Sequence, residues 1–276
     1  MAATKRLVLC AVILCVIASG CAKEEKKALD VKIVTGDKTV TEGVAEEPEK
    51  EQRQSNGILI ALDPGHQGEK VDISGLEPNA PGSAEMKLKA STGTSGTYTG
   101  IPEYQLTLDI SLMVRDELEA QGYSVIMTRE DNDTAISNVE RAMLANDAAA
   151  DVMIRIHANG IEDASVNGAL ALVSSASNPY VGQLYEESSR LAAAILDSYC
   201  ESSGMKNTGI QENDTMTGIN WSRIPVMILE MGFMTNDGDD LKMADVACRV
   251  KMVDGIVNGI NLYFGQTAED ARAISD

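Results

Sequence analysis

Short, continuous apolar runs alternate with segments of helical period from Ile58 onward, and this alternation restricts the fold more than any other feature. Ile58-Leu59-Ile60-Ala61-Leu62, Ser124-Val125-Ile126-Met127, Val152-Met153-Ile154-Arg155-Ile156, Gly168 to Val173 and Val226-Met227-Ile228-Leu229 read as buried strands. Strands that are apolar on both faces belong to sheets covered on both sides. Between them, Glu103 to Ala120 sets Leu106, Ile110, Val114 and Leu118 at i, i+4 spacing, with Gly122 just past the end. Ser137 and Glu140 make a capping box for a helix running to about Ala149. A long helix is expected over about Gly182 to Ser202, and a last one over about Lys242 to Tyr263. Buried strands alternating with helices predict a single α/β domain with helices on both faces of the sheet.

That domain is bounded at 57–265. Ahead of it, Lys5 and Arg6 precede an apolar run from Leu7 to Ala18, which is about a dozen residues and too short to span a bilayer. This reads as a secretory signal over 1–20. Ala18-Ser19-Gly20-Cys21 resembles a bacterial lipobox, with Ala18 where leucine is more usual, and makes Cys21 the expected lipidation site. Residues 21–56, rich in Lys and Glu, read as a solvated tether, and 266–276 as a polar tail. The expected location is therefore extracytoplasmic, anchored to the bacterial membrane as a lipoprotein. In the body only Cys200 and Cys248 remain, and the sequence leaves open whether they pair.

The formal charge of −19 excludes nucleic acid as a partner, because phosphates demand Lys and Arg. It equally argues against holding an anionic polymer by bulk charge, so binding must come from a specific site.

The chain has two histidines, and each falls at the carboxyl end of an expected strand: Asp63-Pro64-Gly65-His66 and Ile156-His157-Ala158-Asn159. Open α/β sheets gather ligand groups at those ends. One such histidine would read as a hydrogen-bonded structural group, but both sole histidines placed this way read as a site. Zinc with two imidazoles usually recruits a carboxylate and leaves its fourth position open. Glu103, in the first turn of an amphipathic helix, is the leading candidate, with Glu69, Glu77 and Glu85 as alternatives. Glu230 ends the run Val226-Met227-Ile228-Leu229, where an acid is costly unless paired or useful, and is the candidate proton carrier.

At these residues the chain resembles the zinc-dependent N-acetylmuramoyl-L-alanine amidases. The matching pieces are Asp63-Pro64-Gly65-His66, Pro102-Glu103, Met127-Thr128-Arg129, Glu140-Arg141-Ala142, Ala145-Asn146, Ile156-His157-Ala158-Asn159 and Glu230-Met231-Gly232-Phe233-Met234-Thr235-Asn236. They follow the family's order and cover nearly the whole body. The resemblance implies a mixed, mainly parallel sheet, one zinc per chain on His66, Glu103 and His157, and Glu230 as the catalytic carboxylate. It implies peptidoglycan as substrate, cut between the lactyl group of N-acetylmuramic acid and L-alanine of the stem peptide.

Two stretches depart from the family pattern. Gln67 to Pro102 is longer than expected between the first histidine and Glu103, and is anticipated as a lid or substrate wall. Thr208 to Trp221 falls where a substrate-facing loop is expected, making Glu212, Trp221 and Arg223, together with Asn159, candidate substrate contacts. Two further readings stand beside the amidase. One is a wall-binding lipoprotein that is catalytically silent or gated, with a protein activator left open. The other is a zinc carboxypeptidase using Arg155 or Arg223 for a terminal carboxylate.

Overall fold

The computed structural model describes residues 55–72 and 74–266. The expected signal segment, Cys21 and nearly all of the tether lie outside these residues, as does the tail beyond 266. In chain order the strands are β1 (Leu59–Pro64), β2 (Leu76–Pro78), β3 (Met86–Leu88), β4 (Ser124–Met127), β5 (Val152–Asn159), β6 (Ala169–Val173), β7 (Asn207–Glu212) and β8 (Val226–Phe233). The helices are α1 (Glu103–Ala120), α2 (Asn138–Asp147), α3 (Tyr185–Ser203, entered through a 3-10 turn at Gly182–Leu184), α4 (Thr217–Asn220), α5 (Asp237–Ala244) and α6 (Val246–Phe264).

Six strands form one sheet in the order β4-β1-β5-β8-β6-β7. β4, β1, β5 and β8 run parallel, while β6 is antiparallel to β8 and carries β7 parallel to itself. The sheet is thus mixed and mainly parallel, with its parallel half supplying the carboxyl ends of β1, β5 and β8 to one edge. β2 and β3 form a separate antiparallel hairpin inside the long segment after His66.

Side chains alternate faces along a strand, and the two faces here have different tasks. Ile60, Leu62, Ile154, Ile156, Ala158, Met227, Leu229 and Met231 point to one face, where α1, α3 and α6 cover them with Ile110, Val114, Leu191, Ile195, Met252 and Ile256. The alternate positions begin apolar, with Ala61, Met153, Val226 and Ile228 packed near Ala145 of α2 and Ile219 of α4. Toward the carboxyl ends the same face turns polar at Asp63, Arg155, His157 and Glu230.

Two expectations changed. The last helix is two: Asp245 accepts from the Cys248 amide at 2.8 Å and acts as N-cap of α6, which favours a break over a continuous helix. The stretch from Thr208 begins as edge strand β7, not loop; its largely polar residues conceal a strand whose pairing comes from β6. Cys200 and Cys248 are both free thiols.

Asp63 is fully buried and binds Arg141 Nη1 and Arg155 Nε, each at 2.6 Å, while Thr128 Oγ1 donates to it at 2.6 Å. Burial alone would raise its pKa; Arg141 and Arg155 outweigh that and hold the carboxyl well below its ordinary range. Arg141 also donates to the carbonyls of Pro64 and His66, and Arg129 to those of Pro64 and Gly65. The turn carrying His66 is thereby clamped. Asp63→Asn should lower the unfolding free energy by about 3–5 kcal/mol, since it strands two buried guanidinium groups; urea denaturation at neutral pH measures this, and a loss under about 1 kcal/mol would deny the clamp its weight.

Candidate active site

The first candidate ligand leaves β1 on a constrained turn. His66 has φ 64, the left-handed region that costs a non-glycine residue energy, and the clamp on its flanking carbonyls maintains it. Gly65, just before it, admits no side chain: a Cβ there would lie 2.5 Å from the His157 ring. His66 Nδ1 stands 2.8 Å from Ser91 Oγ and 3.2 Å from the Ser91 carbonyl; a proton on Nδ1 satisfies the carbonyl and turns the Nε2 lone pair toward Glu103 and His157.

Glu103 opens α1 and is 3 % exposed. Its Oε2 accepts from the Thr94 amide and Oε1 from the Ala158 amide, each at 3.0 Å. Burial pushes its pKa up, but hydrogen bonds with His157 and His66 prevail and hold it well below the usual range. Gly93, at φ 76, likewise leaves no room for a side chain, because a Cβ would meet Glu103 Oε2 at 2.4 Å.

His157 stands on β5 with its ring edge-on to that of His66, centroids 4.8 Å apart. Burial lowers its pKa to about 4, with Glu103 pulling the other way, so the ring is neutral near pH 7. Glu103 Oε1 to His66 Nε2 is 3.0 Å, His66 Nε2 to His157 Nδ1 3.1 Å, and His157 Nδ1 to Glu103 Oε1 3.3 Å. The three atoms form a nearly equilateral triangle, and each can offer an electron pair to its centre when the imidazole protons sit on the outer ring nitrogens. Zinc bonds of about 2.0–2.1 Å in a tetrahedron give ligand separations of about 3.3 Å, so the donor set fits that ion in kind and spacing.

Glu230 pairs in register with His157 on the adjacent strand, and its Oε2 is buried without a hydrogen-bond partner among the described residues. His66, His157 and Glu230 open on a cavity of about 700 Å³. Its floor includes Arg155 and Ile228, and its walls are Leu76, Met86 and Leu88 of the hairpin and Thr215–Gly218.

The remaining candidates lie elsewhere. Glu212 is exposed on edge strand β7, and Asn159 Oδ1 accepts from its neighbour Gly160. Trp221 and Arg223 line a separate cleft of about 340 Å³ with Tyr180 and Gln183, and the indole donates to the Pro78 carbonyl. Of the alternative acids, Glu77 accepts from the Val139 amide, Glu85 pairs with Lys87, and Glu69 is exposed. Sequence reasoning missed Ser91, Gly93 and Thr94; their only signal was glycine and small polar residues close before Glu103.

A family model described as N-acetylmuramoyl-L-alanine amidase matches residues 60–262. The chain belongs to that family. The N-acetylmuramoyl-L-alanine amidase Rv3717 of Mycobacterium tuberculosis is 28% identical over 212 residues, covering 74% of this chain and 85% of that protein. The uncharacterized protein YqiI of Bacillus subtilis is 33% identical over 168 residues, covering 60% of this chain and 77% of that protein. The crystal structure of the amidase Ami1 from Mycobacterium smegmatis is similar with a TM-score of 0.69 and 28% identity, covering 77% of this chain and 99% of that one.

Burial, reinforced by the charge of Glu103 and opposed by Arg155, pushes the Glu230 carboxyl from 4.5 up to about 8. The folded protein then keeps a proton that the unfolded chain has released, so this group's contribution to stability falls as pH rises between those values. In metal-free protein, the stability of Glu230→Gln relative to wild type should rise by roughly 3 kcal/mol from pH 5 to pH 8. Chemical denaturation across that range is the measurement, and a difference that does not vary with pH would contradict the assignment.

Proposed function

We propose that this chain is a zinc-dependent peptidoglycan amidase that hydrolyses the bond between the lactyl group of N-acetylmuramic acid and L-alanine. The observation that carries the reading is the triangle of His66, Glu103 and His157 beside the unpartnered Glu230 carboxyl on one cavity wall. His66, Glu103 and His157 would hold the ion, one per chain. When bound, zinc supplies a Lewis acid that polarises a carbonyl and acidifies water.

The chain's own groups do the rest. The Ser91 carbonyl and the two amides on Glu103 keep the donors aimed without rearrangement. Glu230 takes the proton of the attacking water as its oxygen adds to the lactyl carbonyl. It then delivers that proton to the alanine nitrogen as the carbon–nitrogen bond breaks, leaving a carboxylate and a free amine. A nearby cation favours the ionised form of Glu230, which suits it to accept first and donate second.

The hairpin is a wall of the groove. Glu77 ties it to α2, Asn79 accepts from Thr217 Oγ1 of α4, and the Pro78 carbonyl receives the Trp221 indole. Its exposed Leu76, Met86 and Leu88 offer apolar surface to the substrate. Complete retention of the ligand and proton-carrier set favours an enzyme over a silent wall binder. Lipid attachment at Cys21, with action outside the cytoplasm at the membrane, belongs to the same reading. Cells producing Cys21→Ala should incorporate no labelled palmitate into the protein, whereas labelling equal to wild type would remove the anchor.

Purified protein incubated with peptidoglycan should release stem peptides that begin with L-alanine, identified by mass spectrometry. Chelator should abolish the release, and Glu230→Gln should slow it about 10²- to 10⁴-fold. Zinc bound at one per chain with no such peptides would instead favour the non-catalytic wall binder.

A further inference from the structure

Arg155 is 4 % exposed and lies two residues before His157 on the polar face of β5. Its Nε is bound to Asp63 and its Nη2 donates to Asn138 Oδ1 at 3.0 Å. Among the described residues Nη1 donates to nothing, yet it is not one of the sealed polar atoms, and Arg155 forms part of the cavity floor. Its neighbours differ. Arg141 directs all three nitrogens to protein oxygens, as does Arg129. Lys87, the other cation on the cavity, is paired with Glu85 on the hairpin.

Gly218, which also lines the cavity, packs its backbone against the guanidinium: a Cβ there would come 2.3 Å from Nη1 and 2.5 Å from Cζ. No side chain at the start of α4 therefore stands between Nη1 and the cavity. A buried guanidinium with an unused donor is costly unless an anion completes it, and its planar fork matches a carboxylate.

We propose that Arg155 is a specificity residue that binds a substrate carboxylate through its open Nη1 edge in the cavity floor. Resting on the amidase reading, the carboxylate is that of the stem residue after the cut alanine. In wall peptides this residue is a γ-linked D-glutamate, whose α-carboxyl is either free or amidated. Two residues along β5 put Arg155 about 6.6 Å from His157 along the strand, and two peptide units reach about 7.6 Å. The spacing therefore places that carboxylate over Arg155 when the scissile carbonyl faces His157 and Glu230. A group serving only to tune Glu230 would change turnover alone and would not tell acid from amide.

The test is calorimetric titration of the zinc-loaded protein with L-alanyl-D-glutamate blocked as its γ-methylamide, whose α-carboxyl is free, and with the α-amide of that peptide. The free acid should bind about tenfold tighter or better, and the ratio should fall to about one in Arg155→Met. Arg155→Lys keeps a cation for Asp63 but removes the Nη1 edge, and should also erase the preference; a wild-type ratio in that variant overturns the proposal even if Arg155→Met does not fold. Equal affinities in wild type, or binding of neither peptide, overturn the proposal. Selective binding without release of alanine-ended peptides from peptidoglycan would retain the Arg155 site and sink the amidase. Cleavage without acid preference would overturn the site alone.

Discussion

The buried Asp63 carboxylate organises this domain. It sits where β1 ends, at a depth where an isolated charge would be untenable, and two guanidinium groups make it tenable. Those guanidiniums arrive from α2 and from β5, so one ion-pair cluster joins three elements distant in sequence. Arg141 also donates to the carbonyls of Pro64 and His66, in the turn that carries His66. The left-handed conformation of His66, its approach to His157 across Gly65, and the spacing to Glu103 all follow from that clamp. Buried ion pairs are weak arguments for stability as such. Here the pair serves position, which is what a ligand set at separations near 3 Å demands.

The elements that were legible in the sequence are those whose partners lie mainly in the core. α1 begins at Glu103 and ends at Ala120 because Leu106, Ile110, Val114 and Leu118 fall on one stripe, and the capping box of Ser137 and Glu140 starts α2. Elements made by tertiary pairing were not legible. β7 is an edge strand of mostly polar residues that exists because β6 offers it a ladder, and β2 and β3 are three residues each, held through the Val139 amide of α2 and the Thr217 hydroxyl of α4. The break between α5 and α6 rests on one aspartate whose capping bond competes with an otherwise continuous helical pattern.

The site divides in the same way. His66, His157 and Glu230 could be picked out because a titratable residue ending an apolar strand is conspicuous, and Glu103 because it opens an amphipathic helix. Ser91, Gly93 and Thr94 could not, since their parts are played by a carbonyl, a missing Cβ and an amide, which side-chain chemistry does not advertise. Trp221 and Arg223 show the reverse situation, lining a cleft apart from the main cavity. A lone tryptophan near an expected groove invites a substrate role, whereas its indole is spent on the Pro78 carbonyl and helps fix the hairpin.

A chain of net charge −19 that acts on an anionic polymer must keep its attraction local. The sheet permits this because adjacent positions on a strand face opposite ways. The even positions of β5 give Ile154, Ile156 and Ala158 to the core, while the odd ones carry Met153, then Arg155, then His157 toward the cavity end. Positive charge is thus introduced beneath the proposed reaction centre without enlarging the electrostatic footprint outside, where an acidic surface repels nonspecific contact with the polymer. Screening by solvent weakens charges on the surface far more than charges in a dry floor. One buried arginine at the correct strand position can therefore discriminate where many surface lysines would merely adhere.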